Sequence, residues 1–142
     1  EPISFMLKKY NVRLSKKGKF ILPTDNPVII PMPLHPFRLN WRGFNQAELI
    51  AQLFAENIQA KIDADIIVRI ANSKPQAEID QKESRMENPK NQFKIINPSR
   101  IKNKTVVLID DVCTTGATLN ECARILKESG AQKVIGLVVA RG

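Results

Sequence analysis

The run from Val106 to Leu119 constrains this chain more than any other segment. Thr105 to Ile109 is apolar and rich in β-branched residues, which predicts a buried strand of a parallel sheet. Two acids follow, Asp110 and Asp111, then Val112 and Cys113, then a turn of small residues, Thr114, Thr115, Gly116, Ala117 and Thr118. Leu119, Cys122, Ala123 and Leu126 continue at helical spacing, with Gly130 as a stop. A strand that feeds a polar turn and then an amphipathic helix is half of a βαβ unit. Open sheets built from such units bind ligands beyond the carboxyl ends of their strands, where this turn lies.

The rest of the chain supports the same architecture. Pro27 to Met32 predicts a short buried strand that ends in a Pro-rich turn at Pro33 and Pro36. Asn45 to about Gln59 predicts a helix with Ala47, Ile50, Ala51, Phe54 and Ile58 on one face and Leu53 at its edge. Asp65 to Ile70 predicts a second strand and Lys133 to Ala140 a last one. The expected fold class is α/β: a mainly parallel sheet of about four to five strands with helices on both faces. At 142 residues this is one domain, placed at 27–142. Residues 1–26 are expected to be a basic N-terminal segment, the remainder of an upstream part, since the chain begins with Glu1. Between 72 and 92 only Ala77, Ile79 and Met86 are apolar, and Pro75 and Pro89 bracket the piece, which predicts a mobile surface loop.

Several function classes are excluded or narrowed by composition. The apolar runs, such as Val134 to Ala140, fall far short of the ~20 residues of a membrane-spanning helix. Two cysteines, Cys113 and Cys122, make neither a disulfide framework nor a zinc site, and with no signal-peptide pattern they favour a reducing cytoplasm. The formal net charge is +8. Lys8, Lys9, Arg13, Lys16, Lys17 and Lys19 face only Glu1 within residues 1–24, and Arg100, Lys102 and Lys104 make a second cluster. Such clusters attract polyanions such as nucleic acid; the alternatives are a solvated basic surface or a small phosphorylated ligand.

The turn after Ile109 carries the chemistry. Gly116 lets backbone approach an anion, amides at a helix start point outward with partial positive charge, and Thr114, Thr115 and Thr118 add hydroxyls. Thr118 and Glu121 also have capping-box spacing, so one threonine can serve as a cap. Asp110 and Asp111 would repel a phosphate, but they can accept hydrogen bonds from a vicinal diol or attract a hydrated Mg²⁺. Diol-binding acids beside a phosphate-binding turn describe a ribose 5-phosphate site. The alternative is a plain polar strand end and helix start. A receiver domain fits poorly, because its acid pair follows the first strand. Neither the P-loop nor the dinucleotide glycine pattern occurs.

These residues resemble the type I phosphoribosyltransferases. Ile109-Asp110-Asp111-Val112-Cys113-Thr114-Thr115-Gly116-Ala117-Thr118 is similar to their signature for 5-phosphoribosyl-1-pyrophosphate (PRPP). Ile30 to His35, Arg42 to Leu49, Pro75-Gln76, Arg85, Asn88 and Phe93 are similar to the ComF competence family. The resemblance covers roughly residues 27–142. It implies PRPP binding with Mg²⁺ and a role in DNA uptake and natural transformation, with competence DNA-translocation proteins as partners. It places Asp110 and Asp111 on the ribose hydroxyls and Mg²⁺, Thr114 to Thr118 on the 5-phosphate, and Pro33-Leu34-His35 on the pyrophosphate. Residues 72–92 become the closing loop, with Lys74 and Arg85 as its cations.

His35 then suits a pyrophosphate contact or general acid, or is a turn residue; Arg38 and Arg42 suit phosphate, or are surface ion pairs. Trp41 can stack a base, but is more commonly core or a packing anchor. The family's four-cysteine zinc module is missing, so no zinc is expected here. No hood for a base is visible either. Two readings therefore stand: a PRPP-binding module that handles single-stranded DNA, or a Mg²⁺-dependent transferase that displaces pyrophosphate with an unknown base or amine.

Overall fold

In the computed structural model, residues 13–14, 20–21, 26–70 and 90–141 are described. Two short strands, β1 (Arg13–Leu14) and β2 (Phe20–Ile21), pair antiparallel with each other, apart from the main sheet. The centre is a four-stranded parallel sheet made of β3 (Val28–Pro31), β4 (Lys61–Ile62), β7 (Thr105–Cys113) and β8 (Lys133–Arg141), in the order β4-β3-β7-β8. β3 and β7 are in register from Val28 with Val106 to Pro31 with Ile109. β7 and β8 pair from Thr105 with Lys133 to Cys113 with Arg141.

Strand side chains alternate between faces, so each central strand feeds two cores. Ile29, Val107, Ile109, Ile135 and Leu137 pack with Ala51, Phe54 and Ala55 of α2 (Gln46–Ile58). Val28, Ile30, Val106 and Leu108 pack on the other face with Cys122 and Leu126 of α3 (Ala117–Glu128), together with Ile66, Ile67, Phe93 and Ile101. A helix on each face of a parallel sheet is the α/β arrangement that the sequence predicts. Leu53, expected at the edge of the α2 apolar face, points outward at 69% exposure.

One strand assignment is corrected. Asp65 to Ile70 does not join the main sheet. The slot beside β3 is filled by β4, which follows α2 directly and is extended by the Asp63 N–H bond to the Ile29 carbonyl (2.9 Å). The Asp63 carboxylate then accepts from the Asp65 N–H (3.2 Å), a side-chain turn that leads the chain off the sheet. β5 (Ile67–Arg69) consequently pairs antiparallel with β6 (Phe93–Ile95), extended by Ile70 N–H to the Gln92 carbonyl (2.6 Å). Of the segment 72–92, residues 72–89 lie outside the described residues, as does most of 1–26.

The Pro-rich turn is also more regular than expected, because Pro36–Arg42 forms a short helix, α1. Pro36 starts it where a missing N–H costs nothing, and Gly43, at φ +77°, ends it with its N–H on the Leu39 carbonyl (2.7 Å). Asn45 fixes the way back: its side chain accepts from the Ala47 N–H (3.1 Å), capping α2, and donates to the Met32 carbonyl (2.9 Å) at the end of β3. Asn45→Ala removes both bonds and is expected to cost about 1–2 kcal/mol. Urea unfolding measures this, and an unchanged midpoint would contradict the role assigned to Asn45.

Candidate functional site

The acids stand in a strand, not in a loop. The sequence predicts that β7 ends at Ile109, but it pairs with β8 as far as Cys113. β3 turns away after Met32, whose N–H bonds the Ile109 carbonyl (2.7 Å), so beyond that point β7 continues with β8 alone. The Asp110 carboxylate accepts from the Asp111 N–H (2.8 Å), and the Asp111 carboxylate accepts from the Val112 N–H (2.9 Å). The two acids thus satisfy local backbone while each keeps further acceptor sites for a ligand.

Their environment is uneven. The Asp110 carboxyl is raised to about 7, first by burial, then by its hydrogen bond with the Asp111 side chain; the Asp111 charge pushes the same way. The backbone hydrogen bond from Asp111 and the nearby Arg69 charge pull it down, but less. Close to neutral pH, Asp110 is therefore poised between a hydrogen-bond donor and a bare acceptor.

The turn to α3 is set by Gly116, the cap residue, at φ +83° and ψ 1°, a left-handed conformation that glycine adopts without strain. A Cβ there would meet nothing closer than Asn120 Nδ2 at 3.7 Å, so the restriction is conformational and the space above is open. The Thr115 hydroxyl accepts from the Ala117 N–H (3.2 Å). The capping box read between Thr118 and Glu121 does not form, because the cap residue is Gly116 and Thr118 lies inside the first turn; Arg124 instead holds the Glu121 carboxylate through two bonds (2.7 and 2.9 Å). Thr118 is left half-buried beside Ala117 and faces the cleft.

That cleft holds about 790 Å³, within the range of small-molecule sites. All the residues from Asp110 to Leu119 line one side, so Asp110, Asp111, Thr114, Thr115, Gly116, Ala117 and Thr118 are brought together. Pro33, Leu34, Arg38 and Arg42 line the same cleft. His35 is half-buried and is not part of the lining. Lys74 and Arg85 lie outside the described residues. Four lining residues with amide or guanidinium side chains are not singled out by the sequence as site residues: Asn45, Gln46, Arg69 and Gln92. Arg69 and Gln92 are 23 positions apart and meet only because β5 and β6 pair, with Arg69 Nη2 donating to Gln92 Oε1 (3.1 Å). A cation at a strand end is the one available signal for Arg69.

Two further expectations change. Trp41 is not a core or anchor residue: it is 80% exposed. In the second basic cluster, Arg100, itself exposed, is paired with the buried Asp63 carboxylate (3.2 and 3.3 Å), and Lys102 and Lys104 are exposed.

Two acids and the guanidinium groups of Arg38, Arg42 and Arg69 in one cleft suit a ligand that carries hydroxyls and several phosphates. Among the described residues no group of three or more His, Cys, Asp or Glu side chains could hold a metal. Two adjacent carboxylates do suit Mg²⁺, which keeps waters and takes its other ligands from phosphate oxygens. No helix among the described residues is long and apolar enough to cross a membrane.

Comparison with known proteins gives the setting. Residues 42–142 match the model of the phosphoribosyl transferase domain. The chain is 35% identical over 107 residues to competence protein F of Haemophilus influenzae, covering 75% of this chain and 46% of that protein. It is 33% identical over 106 residues to the DNA utilization protein YhgH of Escherichia coli O6:H1, covering 75% and 45%. The chain spans about half the length of the curated relatives it matches. The crystal structure of TT1426 from Thermus thermophilus overlays with a TM-score of 0.44 at 13% identity, covering 80% of this chain and 64% of that one.

Proposed function

The chain belongs to the phosphoribosyl transferase domain family, in its ComF-type branch, and from that premise we propose that the cleft binds PRPP. The observation that carries this reading is the pairing, on one strand-to-helix turn, of Asp110 and Asp111 with the Thr114 to Thr118 turn, in a cleft that Arg38 and Arg42 also line. The acids take the ribose hydroxyls, the turn takes the 5-phosphate, and the guanidinium groups take the pyrophosphate as planar donors. Arg69, near enough to Asp110 for its charge to lower that carboxyl, adds a third cation to the cleft. Mg²⁺, when bound with PRPP, neutralises pyrophosphate charge; Asp110 and Asp111 would hold it through water or alongside the ribose hydroxyls.

The protein acts as a binding module in DNA uptake, and the cytoplasm is its place. The names of its relatives, competence protein F and DNA utilization protein, support the role. Two free cysteines support the compartment. Calorimetric titration of the chain with PRPP and Mg²⁺ tests the central point: saturable one-to-one binding is expected, and no heat of binding at millimolar PRPP would end this reading. Pyrophosphate release, assayed with PRPP against a panel of bases and amines, is expected to stay at background. Turnover with any acceptor would replace the module by a Mg²⁺-dependent phosphoribosyltransferase.

A further inference from the structure

We propose that Trp41 and its flanking arginines form a site where one base of single-stranded DNA stacks, with the adjoining phosphates on Arg38 and Arg42. The inference rests on the reading that this chain handles DNA; it shares Arg38 and Arg42 with the cleft, and Trp41, which does not line the cleft, is what separates it from PRPP binding.

Trp41 is 80% exposed, and Phe44, just past the end of α1, is 47% exposed. Scattered exposed leucines need no explanation, but tryptophan is among the more buried residue types on average. Its surroundings are chemically uniform. From Pro36 to Gln46 there is no acid, while Arg38 and Arg42 are both exposed. On a helix, residues three and four apart are neighbours, so Arg38 lies beside both Trp41 and Arg42.

The geometry separates two tasks. Arg38 and Arg42 line the cleft mouth, and Trp41 is not part of that lining. The indole is therefore offered to the outside while the guanidinium groups stand at the rim. A flat aromatic face beside fixed cations is the arrangement that binds single-stranded nucleic acid without sequence preference: bases stack on the ring, and phosphates follow the charge. A duplex keeps its bases stacked on one another and offers this ring none. The excess of positive charge over the whole chain, +8, favours a polyanion over an apolar protein partner for this surface.

Trp41 is the only tryptophan, so its emission reports this site alone. Titration with an oligothymidylate of roughly 20 nucleotides at low salt should quench it saturably. An abasic oligonucleotide of the same length should bind more weakly and leave emission nearly unchanged. Trp41→Ala, followed by anisotropy of labelled DNA, should lose about five- to a hundredfold in affinity, the range for one stacked base, and Trp41→Phe should recover much of it. PRPP binding by calorimetry should be the same in Trp41→Ala as in the parent chain. If the parent chain binds oligothymidylate with unchanged emission, or Trp41→Ala binds it equally well, the stacking site is wrong and the DNA role stands. If the parent chain binds no oligothymidylate at low salt, both fall, while PRPP binding is judged by its own titration.

Discussion

PRPP with Mg²⁺ is expected to raise the melting temperature of this chain by about 5–10 °C at a hundredfold excess over Kd, and the double change Asp110→Asn with Asp111→Asn is expected to abolish the rise. A ligand that binds only the folded state stabilises it by RT ln(1 + [L]/Kd), about 2.7 kcal/mol at that excess. A domain of this size gains roughly 2–4 °C per kcal/mol. Ribose 5-phosphate leaves the Arg38 and Arg42 rim unused and should give a smaller shift. The paired Asn variant keeps side-chain oxygens where the Asp111 and Val112 N–H groups need them, so its fold is expected to survive. Gly116→Val should remove the shift as well: it forces a β-branched residue to φ +83° and moves the turn that receives the 5-phosphate. Differential scanning fluorimetry with and without PRPP reads all of these. An equal shift in the parent chain and the double variant would remove the acids from the site.

The second large effect needs no ligand. Asp110→Asn alone is expected to raise the melting temperature of the apo protein by roughly 10–15 °C at pH 8 and by little at pH 4. The sign follows from the direction of the shift. The carboxyl sits at about 7 in the folded chain against 3.8 for an ordinary aspartate, so the folded state holds the proton more tightly. The stability linked to that proton is fully present below about pH 4 and is lost as pH rises through 7. At about 1.4 kcal/mol per pKa unit the loss amounts to a few kcal/mol, and Asn, which has no charge to desolvate, escapes it. Melting curves of both proteins at the two pH values measure the difference. A variant destabilised equally at both would show that burial of Asp110 is not what raises its carboxyl. The same charge that weakens the apo fold is available to ribose hydroxyls or Mg²⁺, so a bound ligand should recover part of the loss.

What is legible in the sequence depends on whether the cause is local. α2 can be read to within a residue at each end, because its cap Asn45, its apolar spacing and its end at Gln59 are all written in adjacent positions. The candidate turn can be read residue by residue for the same reason. β7 reads as ending at Ile109 because Asp is a poor strand former; pairing with β8 and the two carboxylate-to-amide bonds override that propensity. α1 does not stand out because seven residues that begin with proline carry too little periodicity. Arg69 and Gln92 cannot be joined from one sequence. Their meeting depends on β5 leaving the main sheet, and that depends on β4 having taken its slot.

The β5–β6 ladder also settles what the chain can tolerate between its two strands. Ile70 and Gln92 are joined by a 2.6 Å backbone bond, so the ends of the intervening stretch are held together by the ladder whatever lies between them. Closing a flexible loop costs entropy only as the logarithm of its length, and doubling the number of residues adds about 0.6 kcal/mol. Insertions there are cheap, and they leave Arg69 and Gln92 at the cleft.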